Sequence, residues 1–409
     1  MRTKFRAVFV SEKVNSNKFW FADITGSQVL RRWGRVGYKG QSKNFEYSSP
    51  GEAARKTEDA YYGKLRKGYR ELDLVDADAN RIVSGASLES IALDQIDCNG
   101  SKELEKLIKF LVARNVHSIT SKTQITYSDG QLKTPLGVVS PGSIRKARGI
   151  LAQIAGYIGK GRGYGNAFAR LVEQYMVYVP INVGMKLDAS QVFRNQNKIQ
   201  EQEDILDAME SLMSNPTPNP GDEVEQVFNV KMDKITDREE IGKVEKLFAR
   251  NANRGHRSYG MKLKAVYQIE MNGQNFDDKV GNVRRLWHGT KASNLLSIMK
   301  GGMKIVPTRA GHTTGRMFGD GLYFSDQSTK ALNYATTYWG GRDEGRYFML
   351  LVDVAMGKSY TPDSSYENFP RRGYDSTHAK PGRSGVQNPE IIVYREAQAR
   401  IKYLCEFTR

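Results

Sequence analysis

Residues 215–221 read Asn-Pro-Thr-Pro-Asn-Pro-Gly, and no helix or central strand can run through them. Proline fixes its own φ, removes a backbone donor and restricts the residue before it. The run therefore divides the chain, and the apolar spacing differs on its two sides. Upstream, Leu104, Leu107, Ile108 and Leu111 form a helical stripe. So do Ile144, Ala147, Leu151 and Ile154, opened by Ser140-Pro141, and Ile199, Ile205, Leu206, Met209 and Leu212 over about 196–213. A glycine-rich loop lies between Gly156 and Asn166. These spacings predict an all-α domain over 99–215. Downstream, residues 227–232, 261–271, 347–354 and 391–394 are apolar or alternating runs. Ile401, Tyr403, Cys405 and Phe407 alternate in a last strand. Residues 216–409 are thus expected to form a mixed α+β domain rich in antiparallel sheet.

The first 75 residues follow a third pattern. Phe5, Ala7 and Phe9 alternate, and 18–25 and 28–36 are strand-like runs separated by Gly26. Ser49-Pro50-Gly51-Glu52 is a helix start, with Ser49 as N-cap and Glu52 completing a capping box. Ala53, Thr57, Tyr61 and Leu65 follow on one face. A small sheet with one packed helix accounts for 1–75. Residues 76–98 are polar and weakly periodic, so a linker is expected there. The fold class is multidomain α+β.

Charge narrows the function classes. The 409 residues carry a formal +17, unevenly spread. Residues 1–72 hold 16 Lys and Arg against 7 Asp and Glu, and 281–409 hold 19 against 11. Residues 201–240 reverse the sign, 3 against 12. Two basic ends favour polyanionic ligands. Two cysteines, Cys98 and Cys405, exclude a disulfide scaffold and a Cys-based zinc site. No metal is expected. The longest apolar stretch, 174–185, is too short to span a bilayer, and the N-terminus lacks a signal core. No membrane partner is expected. The expected location is intracellular, and nuclear in a eukaryote.

Chemistry is carried by two sets of motifs. Near the N-terminus stands Arg31-Arg32-Trp33-Gly34-Arg35-Val36-Gly37, an aromatic face beside three cations, which suits stacking next to a phosphate. This run resembles the core of the WGR domain, and the resemblance implies binding at DNA strand breaks or ends through Trp33, Arg35, Arg31 and Arg32. In the C-terminal region stand Leu286-Trp-His-Gly-Thr290, then 315–325, then Lys330-Ala-Leu-Asn-Tyr334, then Asn388-Pro-Glu-Ile-Ile-Val-Tyr394. Together they resemble the catalytic domain of the poly(ADP-ribose) polymerases, ADP-ribosyltransferases with a His-Tyr-Glu triad. Residues 134–140 and Gly184-Met-Lys resemble the helical regulatory domain of the DNA-dependent members. The architecture implied is a WGR domain at 1–75, a linker at 76–98, a regulatory domain at 99–215 and an ADP-ribosyltransferase domain at 216–409.

The resemblance implies NAD as substrate and Glu390, His288 and Tyr323 as catalytic residues. Its transition state is oxocarbenium-like, so a nearby carboxylate is useful, and Glu390 is the candidate. In the family this Glu also orients the acceptor hydroxyl for elongation. His288 would bond the adenosine ribose. Gly289 would let the backbone approach the nicotinamide carboxamide. Tyr323 and Tyr334 would wall a slot for a flat ring. Thr290, Asn294 and Lys304 complete the NAD-binding set. Acceptors would be proteins, the enzyme itself included, and an accessory factor could complete the acceptor site.

Two departures stand out. Ala331 occupies the position where the family usually has a hydroxyl bonding the carboxamide, so either one nicotinamide hydrogen bond is missing or Thr290 or Thr329 supplies it. Asp320 stands where many members have Lys. The acidic helix with Glu203, Asp204 and Asp207 is a candidate to face the NAD site. The implied function is DNA-break-stimulated transfer of ADP-ribose to protein, with elongation. The alternatives are mono-ADP-ribosyl transfer to protein or DNA ends, or an inert DNA-end-binding protein.

Overall fold

The computed structural model describes residues 2–11, 16–35, 40–71, 88–128, 131–134, 137–159, 164–182, 188–213, 226–305, 317–336 and 345–409. Residues 76–87 of the expected linker, Val36-Gly37, the loop at 160–163, Gly184-Met-Lys, the proline run and Gly315-Arg316 lie outside the described residues, as does the Arg35 side chain. The chain separates into two compact units, residues 1–84 with 119–209 and residues 85–118 with 210–409. Each is described by itself.

The N-terminal unit begins with β1 (Lys4–Ser11), β2 (Ser16–Thr25), β3 (Gln28–Arg35) and β4 (Gln41–Glu46). Helix α1 (Pro50–Arg66) and β5 (Arg70–Glu71) follow. The five strands form an antiparallel sheet in the order β4-β3-β2-β1-β5. Ser49 caps α1 by accepting from Glu52 N–H, but the Glu52 carboxylate turns back to Ser48, not to Ser49. Ala53 and Tyr61 of α1 pack on Phe5, Ala7, Trp20, Ala22 and Val29. The opposite face is buried too, with Val8 and Phe21 covered. That explains why Phe19-Trp20-Phe21 is apolar without interruption.

In the second unit, α2 (Leu88–Gln95) and β6 (Ile96–Asp97) replace the expected linker from residue 88 onward. Helix α3 (Lys102–Thr120) follows. The next elements return to the first unit. They are β7 (Thr126–Ser128), β8 (Gln131–Thr134) and β9 (Gly137–Val138), then α4 (Pro141–Gly159), α5 (Asn166–Tyr178), α6 (Ala189–Val192) and α7 (Gln196–Met213). The three-stranded β7-β8-β9 sheet corrects the all-α expectation for 99–215. Helix α5 packs against β1, and the Gln174 amide oxygen faces the Arg70 guanidinium at 2.6 Å. Arg148 of α4 donates to Glu203 and Asp207 of α7, at 2.8 and 2.6 Å, so both carboxylates are engaged within this unit. Asp204 is buried and accepts from Gln200.

The second unit continues with β10 (Val230–Lys234), α8 (Arg238–Arg250), β11 (Lys262–Met271), β12 (Val283–Gly289) and α9 (Ala292–Gly301). Then come β13 (Leu322–Phe324), α10 (Ser328–Ala335), β14 (Tyr347–Ala355), β15 (Ser359–Tyr360), β16 (Ser376–Ala379), β17 (Glu390–Val393) and β18 (Ala399–Thr408). A six-stranded sheet runs β12-β14-β18-β11-β10-β6, and a four-stranded one runs β13-β17-β16-β15. All nine residues of β14 are buried. On one face Trp287, Met349, Leu351, Cys405 and Phe407 pack with Val244 of α8 and Leu332 of α10.

A charged network ties α3 to this sheet. Glu406, 1% exposed, accepts from Arg346, Lys264 and Tyr267. The Arg346 guanidinium lies 4.5 Å from the Phe110 ring centre on α3. Asn115 of α3 donates to the Ser293 carbonyl on α9 at 2.8 Å. The first helix of the expected regulatory domain thus belongs to the compact unit of the catalytic sheet, and α4–α7 belong to the other unit.

A test of the N-terminal sheet lies at Gly34. A Cβ there would meet Gly40 Cα at 2.6 Å and Phe19 at 3.2 Å. Gly34→Ala is expected to destabilise this unit by about 1–3 kcal/mol. Thermal unfolding of the full chain checks it, and an unchanged first transition would refute the close approach.

Candidate active site

Three strands carry His288, Tyr323 and Glu390. Trp287 on β12 and Ser325, just beyond β13, exchange backbone hydrogen bonds of 2.9 and 3.0 Å. His288 follows Trp287 on one strand, and Tyr323 lies two residues before Ser325 on the other. On the far side of β13, Tyr323 opposes Ile392 and Phe324 opposes Ile391 of β17, whose first residue is Glu390. His288, Tyr323 and Glu390 therefore stand on three successive strands, about 4.8 Å apart per step.

Each side chain is oriented by a neighbour. His288 Nδ1 lies 2.9 Å from the Tyr323 carbonyl, which can only accept, so Nδ1 carries the proton. Burial holds this imidazole below its ordinary pKa, so it is neutral and Nε2 is left as an acceptor. The Tyr323 hydroxyl donates to the Gly319 carbonyl at 2.8 Å and accepts from Phe318 N–H at 2.9 Å, which fixes the ring. Glu390 lies 2.5 Å from the ammonium of Lys330 on α10, and both side chains are largely buried. Lys330 also donates to the Pro389 carbonyl at 2.8 Å. Burial pushes the Glu390 carboxyl above its ordinary range, against the pull of Lys330. Tyr334, one turn after Lys330, is close enough to Glu390 for that charge to raise its phenol pKa further, beyond the effect of burial.

Lys330 was given no role in the sequence reading. Its signal was present: Lys330 and Tyr334 lie four apart, on one helix face. His256 likewise carries no sequence expectation, and its place comes from the structure alone. Its Nδ1 lies 2.9 Å from Thr329 Oγ1 and its Nε2 3.1 Å from Asn388 Oδ1. Asn253 N–H also donates to Thr329 Oγ1. Thr329 is 1% exposed and its hydroxyl is committed to these partners, so it is not a substitute for the missing hydroxyl at 331.

Gly289 is required, for a reason the sequence did not show. A Cβ there would fall 1.7 Å from the Ala331 carbonyl oxygen, so the glycine lets β12 lie on the backbone of α10. Thr290 follows it and is buried. Asn294 sits in the first turn of α9, with its side-chain oxygen accepting from Ser293. Lys304 is ion-paired with Glu396 at 2.9 Å, in a mostly exposed position. Among the described residues, no group of three or more His, Cys, Asp or Glu could hold a metal ion, and no helix is long and apolar enough to cross a membrane.

Family models match three segments. Residues 3–75 match the WGR domain, 98–215 the poly(ADP-ribose) polymerase regulatory domain and 238–383 the poly(ADP-ribose) polymerase catalytic domain. A putative poly [ADP-ribose] polymerase-like protein, 100L, of Invertebrate iridescent virus 6 is 35% identical over 136 residues, 31% of this chain and 71% of the viral one. The chain belongs to the poly(ADP-ribose) polymerase family. Its catalytic domain is that of an NAD-dependent ADP-ribosyltransferase. It is 23% identical to the protein mono-ADP-ribosyltransferase PARP3 of Mus musculus, over 96% of this chain and 85% of the mouse one. It is 26% identical to poly [ADP-ribose] polymerase 1 of Gallus gallus, over 92% of this chain but 41% of that longer protein.

In the WGR domain, Trp33 is half-buried against the core and opposes Trp20. Arg31 is held from three sides. It lies 4.5 Å from the Phe45 ring centre and 6.0 Å from that of Trp20, and donates to the Tyr47 hydroxyl at 3.0 Å. Arg32 is exposed and ion-paired with Asp23 at 2.9 Å.

The Lys330–Glu390 pair predicts a pH response. If Glu390 is the reacting carboxylate, as the family resemblance implies, activity is lost as pH falls through its pKa. Burial places that acid limb above 4.5, the ordinary value. Lys330→Gln removes the counter-charge, and the limb should move up by about 1–2 pH units. A pH profile of kcat/KM checks this, and a limb that stays put or moves down would contradict the coupling.

Proposed function

We propose that this protein transfers ADP-ribose from NAD to protein acceptors, itself included, when its WGR domain engages a DNA break, and that it extends the product into polymer. The observation that carries the reading is Glu390, a buried carboxylate held by Lys330 beside the Tyr323 strand.

As the bond between nicotinamide and ribose breaks, nicotinamide leaves and positive charge develops at the ribose. Glu390 is suited to stabilise that charge and to accept a hydrogen bond from a ribose hydroxyl. His288 Nε2, the free acceptor of a neutral imidazole, is suited to a hydroxyl of the adenosine ribose. Tyr323 and Tyr334 are suited to flank the nicotinamide ring. The same carboxylate, once nicotinamide has left, can orient a hydroxyl of a bound ADP-ribose unit for the next transfer.

A second reading is mono-transfer, favoured by the likeness to the mouse protein named a mono-ADP-ribosyltransferase over 96% of this chain. Incubation with labelled NAD, with and without nicked DNA, separates the readings on a gel. A DNA-dependent ladder is expected. A single discrete shift supports mono-transfer, and no label in either case overturns both. Glu390→Gln should abolish the ladder.

The DNA arm makes its own prediction. Trp33→Ala and Arg35→Ala should reduce DNA-stimulated activity at least tenfold and leave basal activity unchanged. Arg31→Ala should instead destabilise the domain by about 1–2 kcal/mol, because its cation lies over two rings. Equal loss of basal and stimulated activity in the Trp33 variant would show that its role is structural.

A further inference from the structure

We infer that His256 is a positioning residue for Glu390, acting through Asn388. The inference rests on the proposed role of Glu390 and adds a residue to it.

The segment 251–259 wraps the first turn of α10. Asn253 N–H donates to Thr329 Oγ1, Ser258 Oγ donates to the Thr329 carbonyl at 2.7 Å, and Ser258 N–H donates to Asn333 Oδ1. From this segment His256 reaches across to the turn that precedes β17. One ring nitrogen meets Thr329, the neighbour of Lys330, and the other meets Asn388, two residues before Glu390. A single imidazole thus bridges the two backbone segments that carry the two ends of the ion pair.

The hydrogen-bond inventory fixes the ring's state. Asn388 Oδ1 accepts only, so Nε2 must donate. In the neutral ring Nδ1 is then an acceptor, and Thr329 Oγ1 can donate to it while accepting from Asn253 N–H. Every partner is satisfied without a charge. Two hydrogen bonds also reach the middle of the turn, Ser325 Oγ to the Pro389 carbonyl at 3.3 Å and Lys330 Nζ to the same oxygen. Both fix the carbonyl of Pro389. Lys330 holds the Glu390 side chain itself, and His256 holds the side chain of Asn388 at the other end of the turn, which limits the turn's rotation about that carbonyl.

Loss of the bridge should leave NAD binding intact and misplace the carboxylate. A displacement of even ~1 Å at the reacting centre costs on the order of 100-fold. His256→Ala is expected to lower kcat about 10–100-fold with KM for NAD changed less than twofold. Asn388→Ala should do the same, and the double variant should lose no more than either single one. His256→Gln, which can still donate an N–H toward Asn388, should recover part of the loss.

The measurement is steady-state kinetics of the full chain with nicked DNA, alongside thermal unfolding. Additive losses in the double variant, or a rise in KM with kcat unchanged, would overturn the inference. So would a fall in kcat matched by a lowered unfolding temperature and unrelieved in His256→Gln. Failure of the proposed function would appear differently, as no transfer by the unmodified chain.

Discussion

The exchange of backbone hydrogen bonds between Trp287 and Ser325 sets the geometry of the catalytic domain. Among the described residues it joins the strand at one edge of the six-stranded sheet to the strand at one edge of the four-stranded one. Because side chains alternate along a strand, pairing at this one position decides which residues of β12 and β13 face each other. A slip by one residue would turn Tyr323 away and break its carbonyl's bond to His288. The bridge is itself held by packing: Trp287 is 1% exposed and its ring meets Phe248 and Phe407. The hydrophobic core and the site are therefore consecutive residues of one strand.

Electrostatics completes what the bridge begins. A carboxylate in this largely buried position would tend to protonate, since burial disfavours its charge. Lys330 opposes that tendency from 2.5 Å. With both members ionised the pair is nearly neutral as a unit, which makes its burial tolerable. Lys330 is in turn placed by α10, which can approach β12 closely because residue 289 is glycine. Sheet register, glycine and ion pair are linked in that order.

Much of this was legible in the sequence. The apolar run of β14 and the cap of α1 follow from residue type and spacing, and the order of the C-terminal motifs was legible through the family resemblance. Helix α5 was legible as well, since its covered residues Phe168, Val172, Tyr175 and Met176 fall at i, i+4, i+7 and i+8. What escaped was set by distant contacts. Residues 88–97 were read as linker because a two-residue edge strand needs almost no apolar signal; β6 exists because it pairs with Val230 and Lys231. Arg31 looked like Arg32 and Arg35 in sequence, and only the sheet shows that it lies across two rings. Lys330 and His256 were inside or beside the recognised motifs, but their value depends on a turn more than fifty residues away.

The substitution at 331 gains a physical setting from these contacts. Ala331 lies with its carbonyl against Gly289, and the hydroxyl nearest in sequence, Thr329, is committed to Asn253 and His256. Under the proposed reading, recognition of the carboxamide then falls to the backbone at Gly289 and to the buried Thr290. Recognition of the ring falls to Tyr323, whose hydroxyl is tied at both ends, and Tyr334. A backbone donor and acceptor are positioned by the β12–β14 ladder and carry no side-chain entropy to lose on binding. A site built this way depends less on one hydroxyl and more on strand register, which is the feature the Trp287–Ser325 bridge controls.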